Sequence, residues 1–136
     1  MKTLILFYSY SGHTEKIAKA LAEKESAGMA QIESVKRPGR FRAYTAGCVA
    51  AMRGKAWPIR PLDVNFEEYS RLILLSPVWA SSPPPAVHAF LEQLPEGKII
   101  DVKMVSASGK SKCGERLEAV IKSKGGRLES FEDIKA

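Results

Sequence analysis

The chain has 136 residues with ordinary globular composition, which fits one domain and leaves little room for two. Its formal net charge is +6, and Cys48 and Cys113 show neither metal spacing nor a CxxC pair, so we expect a cytoplasmic protein with reduced thiols. No apolar run approaches the ~20 residues that a membrane span needs, and we expect neither a membrane partner nor a metal.

The first half of the chain alternates predicted strands and helices. A near-continuous apolar run over Thr3–Tyr8 predicts a strand that is buried on both faces. Helical spacing of apolar residues follows over Thr14–Lys24, and Gln31–Val35 predicts a short second strand. Residues Arg40–Arg53 again show helical spacing, and Gly54 suits the end of that helix.

The second half repeats this alternation. We predict a third buried strand over Leu72–Ser76 and a helix that begins after Pro83–Pro85, because proline is tolerated in the first helical turn. Ile99–Ser106 predicts a fourth strand, Leu117–Ile121 marks a further helix, and Arg127–Phe131 is a weaker fifth strand.

Strands that alternate with helices of roughly 10–15 residues are typical of βαβ units. The sequence therefore predicts an α/β fold with a doubly wound, five-stranded parallel sheet, as a single domain over residues 1–136. Ligands in such folds bind at the carboxyl ends of the strands, beside a topological switch point. The loops after the first, third and fourth strands are the candidate ligand loops.

The first of these loops is rich in hydroxyl groups and contains Ser9, Tyr10, Ser11, Gly12, His13 and Thr14. It leads into a helix, whose N-terminus presents unpaired N–H groups and a partial positive charge. Hydroxyls and amides together can hold a phosphate without any lysine or arginine. A capped strand-to-helix turn favours the same residue types, so this loop alone leaves both interpretations open.

The second loop places a tryptophan directly after the third strand, among prolines. Its candidate residues are Pro77, Val78, Trp79, Ala80 and Ser81. A large aromatic side chain at the ligand edge of the sheet suits stacking on a flat heteroaromatic ring. The alternative is a tryptophan that packs in the core or covers it.

The third loop is small and polar, and can approach a ligand with its backbone; it begins with Ser106, Ala107, Ser108 and Gly109. Gly109-Lys110-Ser111 resembles the end of a nucleotide-binding P-loop. The P-loop pattern needs an earlier glycine at the position of Met104, inside the fourth strand, so we reject that interpretation.

In this order and spacing, the three loops resemble those of the flavodoxin family, in particular its short members with a tryptophan in the second loop. The matching features are the pattern [ST]-x-[ST]-G-x-T at Ser9–Thr14, the Pro-x-Trp and proline-rich stretch over Pro77–Leu91, and the Ser/Gly loop after the fourth strand. The resemblance extends over nearly the whole chain. It implies FMN at the switch point between the first and third strands, and the sheet order 2-1-3-4-5.

Carried over by position, the resemblance implies that residues Ser9–Thr14 surround the FMN phosphate. Pro77, Val78 and Trp79 would lie against the isoalloxazine, with Trp79 stacked on it. Ala80 and Ser81 would offer backbone groups near the flavin N5, and Ser106–Gly109 would approach the pyrimidine edge through their amides. No side chain is expected to be catalytic, and His88 is expected to be an exposed helix residue.

Three departures from the family pattern matter. Family members that carry electrons are typically acidic, whereas this chain is basic. The third loop, Ser106–Gly114, lacks the aromatic residue that often covers the second flavin face. The family's final helix is missing, because only Glu132–Ala136 follows the fifth strand. We therefore expect that the missing helix leaves an apolar sheet surface beside the first helix. Either a homodimer or another protein covers this surface, or the C-terminus is truncated.

The positive charge is concentrated in residues 36–62, which contain no acidic residue and seven basic ones: Lys36, Arg37, Arg40, Arg42, Arg53, Lys55 and Arg60. This segment is either a solvated basic face or a docking surface. If it is a docking surface, we expect an acidic redox protein as the partner and do not expect nucleic acid. If these charges lie close to the flavin, they should stabilise its anionic reduced form and raise the hydroquinone potential above that of acidic carriers.

The leading functional hypothesis is an FMN-binding electron-transfer protein. One alternative is an NAD(P)H-dependent flavin or quinone reductase on the same fold, with the basic segment attracting the extra phosphate of NADPH. The other is an interaction domain without a cofactor. A phospho-receiver domain is excluded, because the first strand ends in Phe7-Tyr8-Ser9 without an acidic residue.

Overall fold

A five-stranded parallel sheet in the order β2-β1-β3-β4-β5 forms the centre of the fold in a computed structural model, which describes residues 2–136. The strands are β1 (Lys2–Phe7), β2 (Gly28–Gln31), β3 (Tyr69–Pro77), β4 (Ile99–Ser106) and β5 (Arg127–Lys135). The predicted fold class and strand order are confirmed.

Five α-helices accompany the sheet: α1 (His13–Glu25), α2 (Arg40–Arg42), α3 (Cys48–Arg53), α4 (Pro85–Glu92) and α5 (Gly114–Ser123). A π-helical turn over Ala43–Gly47 joins α2 to α3, so residues 40–53 form one helical stretch, as predicted; we call it the basic helical segment. Across residues 2–136, every helix is too short or too polar to cross a bilayer.

Three strands differ from the prediction by more than one residue, and the first of these, β3, begins at Tyr69 rather than Leu72. β2 begins three residues and ends four residues before the predicted range, because its pairing with β1 runs from Gly28 opposite Leu4 to Gln31 opposite Phe7. A Cβ atom on Gly28 would come 3.0 Å from the Tyr69 hydroxyl, so this strand begins at a close approach that hydrophobic periodicity does not reveal. β5 continues beyond Phe131 because it stays paired with β4 as far as Lys135.

Alternate residues of β1 enter two separate cores, which explains its continuous apolar sequence. Leu4 and Leu6 pack in the core beneath α4 and α5. Ile5 and Phe7 face the other way and pack against α1. Helices therefore cover both faces of the sheet, as a doubly wound fold requires.

His88 was expected to be exposed, and this prediction is wrong. It lies on α4 with 8% of its surface exposed, and its Nε2–H donates to the carbonyl of Ala51 in α3 at 3.0 Å. Burial lowers the pKa of His88, although the bond to Ala51 partly opposes this effect. This hydrogen bond links the basic helical segment to α4.

The sheet surface beside α1 was expected to be apolar, and this prediction is also wrong. The carboxylate of Asp101, only 5% exposed, accepts hydrogen bonds from Arg71 Nε and Ser130 Oγ, each at 2.6 Å. On the same strands, Lys103 Nζ lies 2.7 Å from Glu132 Oε2. Polar side chains therefore occupy this surface, and the homodimer remains a prediction without support from an apolar face.

Replacing Asp101 with asparagine should lower the free energy of unfolding by about 1–2 kcal/mol, since a charge-assisted bond to a buried carboxylate is lost. The value stays modest because the side chain of Arg71 is 45% exposed and water screens the pair. Urea unfolding measures the change. Glu132→Gln is the matched control, because the Glu132 side chain is 56% exposed. Its replacement should lower the free energy of unfolding by at most about 0.5 kcal/mol.

The same pair makes stability depend on pH. Burial alone raises the pKa of Asp101, but the hydrogen bonds from Arg71 and Ser130 outweigh it, so the pKa lies below its ordinary value. The stabilisation is therefore complete above pH about 4 and is lost as the pH falls through the lower pKa of the folded state. In Asp101→Asn the free energy of unfolding should fall less steeply at acid pH than in the wild type. An unchanged dependence on acid pH would contradict this role of Asp101.

Candidate functional site

A cavity of about 290 Å³ lies at the carboxyl ends of β1, β3 and β4. Nine of the fifteen predicted site residues line it: Tyr10, Ser11, His13, Thr14, Pro77, Val78, Trp79, Ser106 and Ala107. The other six are Ser9, Gly12, Ala80, Ser81, Ser108 and Gly109, which shape the loops around it. The chain thus brings together three loops that are far apart in sequence.

The first loop folds around the Ser9 hydroxyl, which accepts hydrogen bonds from the amides of Gly12 at 3.0 Å and Glu15 at 3.3 Å. Gly12 has φ +100°, a conformation that favours glycine. Ser9 therefore stabilises the start of α1, as the capping interpretation expects. Ser11 and Thr14 line the cavity; the Ser11 hydroxyl lies 3.3 Å from His13 Nδ1, and Thr14 is only 3% exposed.

Trp79 is held by aromatic contacts and by a glycine. Its ring meets Tyr8 edge-on with centroids 6.2 Å apart, and Tyr10 with centroids 5.6 Å apart. A Cβ atom on Gly47 would come 2.8 Å from the indole Cζ3, so only glycine leaves room there for the ring. Gly47 is not predictable from the sequence, because this contact between the basic helical segment and the second loop exists only in the tertiary structure.

Tyr10 gives the cavity a second aromatic residue beside Trp79. Its hydroxyl donates to the carbonyl of Pro38 at 2.9 Å. The Arg37 guanidinium lies 4.2 Å from the Tyr10 ring centroid and donates to the Tyr10 carbonyl at 2.9 Å. The third loop has no aromatic residue, as expected, but the first loop provides one and connects it to the start of the basic residues.

A tight turn positions Trp79. The backbone N–H of Trp79 donates to the carbonyl of Ser82 at 2.7 Å, and the N–H of Ser82 donates back at 3.1 Å. Between them, Ala80 and Ser81 adopt φ +51° and +65°, which is uncommon for residues other than glycine. These two residues lie outside the cavity and fix the direction of the tryptophan.

The third loop is a turn tied to the end of β5. The Ser106 hydroxyl accepts from the amide of Gly109 at 3.0 Å, and the amide of Ala136 donates to the Ser106 carbonyl at 2.8 Å. Val105 and Ala136 also line the cavity, and neither was among the predicted site residues. Ala136 was missed because the fifth strand was predicted to end four residues early, at Phe131 rather than Lys135.

The sheet order and the cavity at its switch point define a flavodoxin-like α/β protein. No protein-family model and no curated protein matches this chain. An FMN complex of a flavoprotein from Lactobacillus acidophilus superposes with a TM-score of 0.77 at 19% identity, covering 96% of this chain and 91% of the other.

Two further solved structures give the same result. The apo form of the flavoprotein from Lactobacillus acidophilus has a TM-score of 0.70 at 20% identity, with coverage of 97% and 92%. Oxidised flavodoxin 2 from Bacillus cereus has a TM-score of 0.58 at 20% identity, with coverage of 100% and 86%. At these identities the similarity establishes the flavodoxin-like fold.

Proposed function

We propose that this chain binds FMN in the cavity at the carboxyl ends of β1, β3 and β4, and that it transfers electrons. The observation that carries the proposal is that the loops matched to the phosphate and the ring of FMN meet in one cavity. A solved FMN complex with the same fold supports it.

The polar end of the cavity suits a phosphate dianion. Ser11 and Thr14 line it at the N-terminus of α1, a helix of 13 residues. Free amides and the helix dipole favour an anion at this position. No lysine or arginine of residues 2–136 lines the cavity, so the hydroxyls and amides would supply the binding groups.

The aromatic end of the cavity suits a flat ring. Trp79 and Tyr10 would contact the isoalloxazine, and the backbone of Ser106 and Ala107 would approach its polar edge. The cavity volume of about 290 Å³ lies at the lower limit for small-molecule sites, so we expect part of the ring to remain at the surface. Bound FMN supplies one- or two-electron chemistry, and the protein binds and orients it.

We propose a cytoplasmic location for the chain on the basis of its thiols. Cys48 and Cys113 are both free, and burial raises the pKa of each. Unpaired thiols suit the reducing cytoplasm.

Titration of the purified chain with FMN tests the proposal. We expect one-to-one binding at micromolar or lower concentrations, seen as quenching of flavin fluorescence, and photoreduction should then yield reduced bound flavin. Failure to bind FMN at these concentrations would favour an interaction domain without a cofactor. Steady-state oxidation of NADPH with a quinone acceptor would favour a reductase instead.

A further inference from the structure

The basic helical segment exposes an apolar face. Phe41 is 82% exposed, Tyr44 80%, Met52 56% and Val49 43%. Among residues 2–136, these are four of the six large hydrophobic side chains that are exposed. Single exposed apolar residues are ordinary, but four on one short segment indicate a binding surface.

This face contains an open groove of about 750 Å³. Tyr44, Cys48, Val49 and Met52 line its apolar part. At one end the groove reaches Ala80, in the turn that positions Trp79. A group seated in the groove would therefore lie beside the aromatic end of the FMN cavity.

Two basic residues line the groove, and others lie on the same segment. Arg53 and Lys55 line its edge, and Arg40 is exposed at the start of the segment. Of the seven basic residues in 36–62, only Arg60 pairs with a carboxylate of residues 2–136, Glu33 at 3.8 Å. The positive charge is thus not neutralised within the described chain, and it attracts negative charge from outside.

We propose that residues 36–55 are a docking surface for an acidic redox protein, which places an apolar side chain in the groove and carboxylates against the basic rim. This inference deepens the proposed function by naming the class of its partner. An apolar centre with a polar rim is the usual anatomy of a protein interface. Contact between Gly47 and Trp79 brings the docked partner next to the flavin site.

Other occupants fit this surface less well. A second copy of the chain would meet it through a two-fold axis, which sets the basic rims against each other. Nucleic acid would use the charges, but aliphatic residues such as Val49 and Met52 contribute nothing to phosphate binding. An acidic protein satisfies both the charge and the apolar groove.

The test uses an acidic plant-type [2Fe–2S] ferredoxin as the probe, and calorimetry as a binding measurement that does not require FMN. Two variants each remove one part of the surface. The basic part is removed in Arg40→Gln/Arg53→Gln/Lys55→Gln, and the apolar part in Phe41→Gln/Tyr44→Gln. The control, Lys2→Gln/Lys24→Gln/Lys122→Gln, changes exposed lysines outside the surface. Both triple variants lower the net charge from +6 to +3.

We expect wild-type binding to weaken with rising salt, and the Arg40/Arg53/Lys55 variant to bind about tenfold more weakly than the lysine control. The Phe41/Tyr44 variant should also bind about tenfold more weakly, with less change in salt dependence. FMN affinity should be the same in every variant, so that loss of docking and loss of the cofactor remain separate results.

Equal ferredoxin binding by the wild type and both surface variants would overturn the proposal, as would absence of binding at low salt. Tighter binding of a basic c-type cytochrome, a short DNA duplex or vesicles of anionic lipid at about 0.15 M salt would also overturn it. Stopped-flow reduction of the FMN-loaded chain by ferredoxin should follow the same order of variants as the binding data.

Discussion

Replacing Trp79 with alanine is expected to weaken FMN binding about 10- to 100-fold. Stacking of an aromatic side chain on a flat heterocycle contributes about 1–3 kcal/mol, and each 1.4 kcal/mol is a factor of ten in affinity. Trp79 lines the cavity and is held by Tyr10 and Gly47, so its ring is already positioned before the ligand arrives. Quenching of flavin fluorescence in a titration measures the change.

The only other tryptophan in the sequence provides the control. Trp57 lies outside the FMN cavity, with the Arg42 guanidinium 5.0 Å from its ring centroid. Trp57→Ala should therefore leave FMN affinity within about twofold of the wild type. Equal losses of FMN affinity in the two variants would mean that stability, and not ring stacking, governs binding. Wild-type FMN affinity in Trp79→Ala would show that Trp79 does not belong to the site.

Replacing Gly12 with alanine is expected to lower both stability and FMN affinity. Gly12 has φ +100°, and an added Cβ would meet nothing within 4 Å, so the cost comes from the backbone alone. Such a conformation costs about 1–3 kcal/mol in a residue with a side chain. The loop can relieve this strain only by moving the amides that start α1, and we expect FMN to bind about tenfold more weakly.

Gly97→Ala separates the two effects. Gly97 also has positive φ, +78°, and open space around its Cβ position, but it lies between α4 and β4, outside the cavity. Thermal unfolding should show similar destabilisation in both variants, whereas only Gly12→Ala should lose FMN affinity. A parallel loss in Gly97→Ala would show that the first loop has no direct part in binding the phosphate.

The sequence by itself determined the class of fold, and it predicted the edge of the sheet at which the candidate site lies. Strand periodicity is a local property, and a strand buried on both faces, such as β1, must be apolar throughout. In a parallel sheet the carboxyl ends of the strands share one edge, so the loops starting at Ser9, Pro77 and Ser106 had to meet. The structure brings residues of all three into one cavity.

Only the tertiary structure decided the contacts between side chains that are distant in the chain. Gly47 beneath Trp79, Asp101 between Arg71 and Ser130, and the burial of His88 each depend on elements far apart in sequence. Periodicity reports which residues are apolar, but it does not report which polar groups find partners when buried. For that reason the sheet face beside α1 was predicted to be apolar, whereas charged pairs occupy it. The loop Ser9–Thr14 was predicted to hold a phosphate, and four of its six residues line the cavity.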